Sequence, residues 1–208
     1  MPPRLHRRFF WSVRPLFTLT GAGLLVTASS RTAFALLSAG ALVWVYALTI
    51  LVYVLAGPLF PKQGKETALL FVSSFWGSLY FFLFSLVSPL LALETAFFII
   101  LSPVTCVASG LVKRLENLRL KDALIRACLE ALTLGGALLG LALIREPLGF
   151  GTLSLPGGSE GIVEFFGGGG EVFPVRVIGS SAGAFLLIGY GMALFRRVKR
   201  KRLQEDAS

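Results

Sequence analysis

The sequence predicts an all-α, polytopic membrane protein with six transmembrane helices in a single membrane domain, residues 1–208. Two observations predict this class: 55% of the 208 residues are hydrophobic, and only 15% are charged. A third is the length of the apolar runs, because residues 33–57 contain no charge and about 20 apolar residues span the hydrocarbon layer as a helix. A soluble domain of this size could not hide so much apolar surface from water.

Six apolar segments follow one another along the chain. They are residues 15–30, 33–56, 67–91, 95–112, 124–144 and 177–195. The first and fourth are short, and they contain Gly21 and Gly23 in one case and Pro103 in the other. Glycine weakens a helix and proline removes a backbone donor, so we expect the first and fourth helices to be broken. Two three-helix halves, residues 15–91 and 95–195, would then form an inverted repeat.

The positions of the basic residues predict the orientation in the membrane. All but three of the 20 Lys and Arg residues fall at or beyond the ends of the apolar segments on one predicted side, which includes the tail 196–208. Only Arg31, Arg145 and Arg176 fall on the other side. The positive-inside rule therefore predicts a multi-pass membrane protein with both termini in the cytoplasm, and no nucleic-acid partner.

Two further predictions concern the long outer connection and the amino terminus. Residues 145–176 contain Pro-Gly-Gly and four consecutive glycines, so we expect a flexible outer loop. The amino terminus also resembles a secretory signal, with a possible cleavage site at residues 26–28. Cleavage there would leave five spans, whereas the charge distribution is satisfied without it.

Few residues could carry chemistry, because zinc, nucleotide and hydrolase motifs are absent from the sequence. Cys106 follows Pro103 by three residues, where an opened backbone could turn the sulfur toward the bundle interior. Thiolates are soft ligands for iron and copper, although a lone cysteine in an apolar helix is also an ordinary small hydrophobe. Cys128 is a weaker candidate of the same kind.

Charged and small residues within the apolar segments suggest helix contacts. Arg126 and Glu130 share a helix face and predict an ion pair at the membrane interface, with a proton or sodium relay as the alternative. Arg145 and Glu146 are expected to end the same helix. Close helix contacts, either within the subunit or against a partner, are predicted at two GxxxG pairs, Gly136 with Gly140 and Gly179 with Gly183.

Three stretches resemble one known family. REPLGFGTL at residues 145–153 looks like the family's REILGSGTL element, and Cys106 followed by Gly110 looks like its NC-x-x-x-G segment. Leu-Leu-Val-Thr at residues 24–27 is similar to the tail of its first-span CPxLAVT motif. The family is that of the paired six-span subunits of the Rnf and Nqr redox-driven ion pumps, and the chain looks most like the E-type subunit of Rnf or the D-type subunit of Nqr.

The resemblance implies a non-autonomous subunit of a redox-driven translocase that works with a sister six-span subunit and with flavoprotein subunits. It implies a [2Fe-2S] cluster shared with the sister, with Cys106 as a metal ligand. The chain departs from the family pattern where Ala22 and Gly23 replace Cys-Pro and Thr105 replaces Asn. The missing thiolate could come from a partner or from Cys128, the cluster could be altered, or the chain could keep the scaffold without the metal.

Two other functions are compatible with the sequence. A small secondary transporter built on the same inverted repeat would use Glu130 or Glu94 to handle the coupled ion. A purely structural assembly subunit would need neither these carboxylates nor a cofactor.

Overall fold

The computed structural model describes residues 19–56, 60, 64–110, 120–157, 161–165 and 176–205, and this part of the chain is predominantly helical. The helices are α1 (Leu19–Ala28), α2 (Thr32–Ala56), α3 (Lys65–Val87), α4 (Pro89–Ala108), α5 (Leu120–Phe150), α6 (Arg176–Gly179) and α7 (Ser181–Glu205). Two strands, β1 (Leu153–Pro156) and β2 (Ile162–Phe165), lie between α5 and α6.

Helices α2 to α5 are each long and apolar enough to cross a membrane. The shortest of them, α4, has 20 residues and a length of about 30 Å at 1.5 Å per residue. The described part of α1 has only 10 residues, fewer than a span needs, and residues 15–18 of the first predicted segment lie outside the described chain. The apolar part of α7, Ser181–Gly191, is also short. The structure confirms a multi-pass helical membrane protein, while the six-span count and the inverted repeat stay predictions.

The first and fourth apolar segments remain helical at the glycines and the proline that the sequence predicts to break them. α4 continues as a helix through Pro103, and α1 continues through Gly21 and Gly23. The chain therefore does not break at Pro103, because one missing hydrogen bond leaves the other turns of a 20-residue helix intact. The ring of Pro103 instead packs against α3 so closely that a Cβ on Gly77 would lie 2.9 Å from its Cγ.

The turn between α3 and α4 is a single residue, Ser88, with φ −146° and ψ 89°. Pro89 begins α4 at a position where its missing N–H leaves no hydrogen bond unmade. The sequence predicts this turn at residues 92–94, between two apolar segments. The structure therefore places Glu94 inside α4 rather than in an outer connection.

α2 is the centre of the bundle. It forms the most extensive helix contact of the described chain with α5, and it also packs against α3 and α4. At the α2–α5 contact a Cβ on Gly135 would lie 2.9 Å from the Cβ of Ala39. α3 is the outermost of the long helices, since Leu69, Ser73 and Gly77 are its buried residues.

The predicted outer loop is partly ordered. α5 continues past Arg145 and ends only at Phe150, where Gly151 adopts a φ of +70° that favours glycine. The chain then forms an antiparallel hairpin, in which β1 pairs with β2 from Leu153↔Phe165 to Pro156↔Ile162. The fold is thus all-helical apart from this small hairpin, and the four-glycine run lies outside the described residues.

The two GxxxG pairs differ in their surroundings. A Cβ on Gly136 or on Gly140 would meet nothing within 4 Å, so this pair makes no close contact within the described chain, and a contact with a partner stays a prediction. A Cβ on Gly183 would lie 2.2 Å from the Val177 carbonyl oxygen, and one on Gly179 would lie 3.0 Å from the ring of Phe150. The second pair therefore forms the tight junction of α6 with its neighbours.

Most of the charges on which the orientation depends lie in residues 1–18 and 111–119 or on side chains of α7 that the structure does not describe. The signal-like start falls largely in the same amino-terminal residues. Orientation and amino-terminal cleavage therefore stay predictions.

We expect Gly135→Val to destabilise the protein by about 1–3 kcal/mol, because the added atoms have no space against Ala39. Gly136→Val is the matched control, since it changes helix propensity equally and its Cβ has open space. The measurement is the unfolding midpoint of the two variants in detergent. Equal midpoints would show that the α2–α5 contact is looser than described.

Candidate functional site

Two adjacent charged residues are buried near the end of α5. Arg145 is 2% exposed and Glu146 is 1% exposed. A buried charge is costly unless hydrogen bonds replace its lost water. Their partners therefore show what the two side chains do in the structure.

Arg145 binds the carboxyl ends of two short helices. Its Nη1 donates to the Val26 carbonyl oxygen of α1 at 2.6 Å and to the Ser29 hydroxyl at 2.9 Å. Its Nε and Nη2 donate to the carbonyl oxygens of Ile178 and Gly179 at 3.1 and 2.8 Å. The last carbonyl groups of a helix have no partner within the helix, so one guanidinium satisfies such groups of α1 and α6 together.

Glu146 caps the beginning of α2. Its Oε2 accepts hydrogen bonds from the Thr32 backbone N–H at 2.6 Å and from the Thr32 hydroxyl. The next amide, of Ala33, donates to the Ser154 hydroxyl of β1 at 3.4 Å. Arg31 precedes the helix and has no acceptor side chain, so α5 and β1 supply the caps that the local sequence lacks.

The hairpin is tied to the same end of the bundle by a surface salt bridge. Arg31 Nη1 lies 3.2 Å from Glu164 Oε1, and both side chains are more than 40% exposed. Such an exposed pair contributes little to stability compared with the buried bonds of Arg145 and Glu146.

Several residues of the element at 145–153 therefore have identifiable structural roles. Besides the buried charges, Gly149 approaches α6 so closely that its Cβ would lie 2.7 Å from Gly179 Cα. Gly151 ends α5 with its positive φ, and Leu153 begins β1. We call Arg145, Glu146 and the groups they bind the polar junction. The sequence showed that both charges lie at the end of the fifth segment, but not that they bind α1, α2 and α6.

Cys106 is completely buried, as predicted for a residue facing the bundle interior, and its helix packs against α1. It lies two residues before the end of α4, about 3 Å of helical rise from the terminus, rather than in the middle of a span. The Ser109 hydroxyl donates to its carbonyl oxygen at 2.8 Å, and Gly110 follows with φ +64°. The glycine of the Cys106-x-x-x-Gly110 pattern thus lies just beyond the end of the helix.

Three helices meet beside this cysteine. The Tyr46 hydroxyl of α2 donates to the Thr105 carbonyl oxygen at 3.3 Å. Glu130 of α5 is 6% exposed and lies close enough to Cys106 for an electrostatic interaction. This burial is against neighbouring helices and leaves the predicted interfacial depth of Glu130 a prediction, while a salt bridge between Glu130 and Arg126 is not among those of the described residues.

The described residues do not fit an iron-sulfur cluster held by this chain. No group of three or more His, Cys, Asp or Glu side chains among them could hold a metal ion. Cys128 lies half-buried on α5, and a [2Fe-2S] cluster takes four thiolates. Cys106 has no exposed surface within this chain. The side chain of Ala22 is not described, and alanine has no ligand atom.

The fold and the polar junction together define a helical integral membrane protein. Buried charges at one end of the bundle bind the ends of its short helices. Comparison of the chain with known protein families, curated proteins and solved structures finds no match.

We expect Arg145→Met to destabilise the protein by about 3–5 kcal/mol, because methionine fills similar space but leaves buried carbonyl groups without a donor. Arg31→Met is the matched control and should cost about 1 kcal/mol or less, since its salt bridge is exposed. Unfolding of both variants in detergent measures the difference. A loss at Arg145 no larger than that at Arg31 would contradict the role assigned to the junction.

Proposed function

We propose that this chain is a membrane subunit of an ion-translocating electron-transport complex of the Rnf/Nqr type, with no complete active site of its own. The observation that carries the proposal is the polar junction. The element that resembles the family, residues 145–153, supplies the buried charges that hold the short first helix in the bundle. The residues that resemble the family are therefore ones on which the arrangement of the helices depends.

A second support is the neighbourhood of α1 and α4. The resemblance expects the first and fourth helices to lie side by side, and α1 packs against α4 in the described chain. Cys106, the residue that matches a family ligand, is buried on α4 within the hydrophobic core that also includes Leu24 and Leu25 of α1.

The proposal has two forms, which differ in whether Cys106 ligates iron. In the first, Cys106 contributes one thiolate to a [2Fe-2S] cluster completed by a sister subunit. In the second, the chain is a scaffold that orients the sister subunit and holds no metal. The enclosure of Cys106 and the alanine at position 22 favour the scaffold form.

The proposed setting is the bacterial cytoplasmic membrane, with both termini in the cytoplasm. Arg31 and Arg145 lie at the same end of the bundle as the polar junction, which the charge distribution assigns to the outer side. Partners would be a sister six-span subunit and flavoprotein subunits.

A second candidate function is a small secondary transporter. The observation that favours it is the burial of Glu130 on α5, near Cys106 of α4, because carboxylates inside membrane proteins often handle ions. Glu94 fits this role less well, since it lies on the outside of the bundle. Ion-dependent uptake by vesicles that contain this chain alone, lost in Glu130→Gln, would favour the transporter over the complex subunit.

The test of the proposed function is purification of the complex from its native membranes through a tag on this chain. We expect a sister six-span protein, flavin and iron to accompany it, together with electron transfer from NADH or ferredoxin. Cys106→Ala should leave iron content and visible spectrum unchanged, because the thiol is enclosed within this chain. Cys128→Ala, measured in parallel, tests the chain's other thiol, which is the alternative source of a ligand.

Loss of the iron spectrum in Cys106→Ala alone would contradict the scaffold form and establish the cluster form. A chain that purifies without flavin, iron or a sister protein would contradict both forms.

A further inference from the structure

The end of the α3–α4 hairpin around Ser88 is an exposed apolar surface. Leu86 and Val87 of α3 and Leu90 and Leu93 of α4 are each 62–71% exposed. The turn between these helices is one residue long and carries no charged side chain. We call these four residues and Glu94 the hairpin surface.

Glu94 is exposed, and its spacing places it on the same side of α4 as Leu90 and Leu93. It makes no hydrogen bond or salt bridge within the described part of the chain. It follows Pro89 by five residues, which is about 7.5 Å of helical rise from the beginning of α4. The next exposed side chains toward the middle of the helix are Phe97 and Ile100, so the carboxylate is surrounded by apolar surface.

The hairpin end is apolar and the carboxylate of Glu94 lies below it, an order of side chains that is unfavourable whether lipid or water surrounds the turn. A helix end adapted to lipid alone places polar groups at the membrane surface and apolar groups below them. Here the end of the hairpin is apolar and the carboxylate lies below it. If the turn reaches water, its leucines are exposed to solvent, and if the turn lies within the hydrocarbon, Glu94 lies deeper still, where a carboxylate is unfavourable.

We propose that the hairpin surface is the docking site for a transmembrane helix of a different membrane subunit, which places an Arg or Lys side chain opposite Glu94. Opposite charge would satisfy the carboxylate, and the apolar side chains of that helix would cover Leu86, Val87, Leu90 and Leu93. The inference rests on the proposed function only in expecting a partner subunit, and it names the surface of this chain that the partner covers.

A second copy of the chain is a less suitable occupant. The cations with described side chains at this end of the bundle are Arg31, bound to Glu164, and Arg145, buried in the polar junction. Both are already engaged, so no described side chain at this end of a second copy offers a free cation to Glu94.

The experiment places a photoreactive benzoylphenylalanine at Leu90 in the full chain in native membranes. We expect a crosslink to one other membrane protein, at a peptide whose transmembrane segment contains Arg or Lys. Glu94→Arg should lower the crosslink yield at least about tenfold, because like charges would then face each other. Changing the identified partner cation to Glu should restore the yield.

Glu66→Arg is the matched control, since Glu66 is an exposed carboxylate at the opposite end of α3. It should leave the yield unchanged, and elution of each variant as a monodisperse species verifies folding. Crosslinks to lipid alone, to a second copy of this chain, or with a yield indifferent to Glu94→Arg would overturn the inference. A crosslink that persists in a complex without electron transfer would contradict the proposed function. The same result would still support the docking site.

Discussion

The arrangement of the helices depends on the hydrogen bonds that Arg145 and Glu146 make to the ends of other helices. Water is absent from the hydrocarbon core, so backbone groups there must be satisfied within the protein. Every helix leaves its last carbonyl groups and its first amides without a partner inside the helix, and such groups of α1, α2 and α6 meet at one end of the bundle. One guanidinium binds carbonyl groups of α1 and α6, and the neighbouring carboxylate binds the first amide of α2. The two charges thereby satisfy buried helix ends that belong to three different helices.

This constraint links the element at residues 145–153 to the region of Cys106. By holding the end of α1, Arg145 fixes a helix that packs against α4, the helix that carries Cys106. The family resemblance suggests an electron path at that contact, while the geometry shows a thiol enclosed near the end of α4. A subunit of this kind can position partners without holding a cofactor, which is why the scaffold form of the proposed function is favoured. The hairpin surface and the polar junction then serve two separate tasks, docking and internal fixation.

The apolar segments predict the long helices closely, because the need to span the bilayer determines both their length and their composition. The exact turns were less predictable. Glu94 looked like part of a loop because it is charged, but Pro89 begins α4 five residues earlier and fixes the turn at Ser88. Pro103 looked like a helix break, but tertiary packing against Gly77 accommodates it. The turn was misplaced because a second local signal, the proline, outweighed the charge, whereas the break at Pro103 was prevented by a contact between helices that the sequence does not show.

The candidate site was predictable only in part. The burial of Cys106 follows from its apolar neighbours, and an adjacent Arg-Glu pair at the end of a span signals a special role. The partners of that pair come from α1, α2 and α6, more than 30 residues away along the chain, and no local pattern identifies them. Amide hydrogen exchange at Thr32, in nanodiscs, tests the junction most directly. The account predicts a protected amide that exchanges much faster in Glu146→Ala, with the middle of α2 unchanged; an amide already unprotected in the native protein, or indifferent to the substitution, would contradict it.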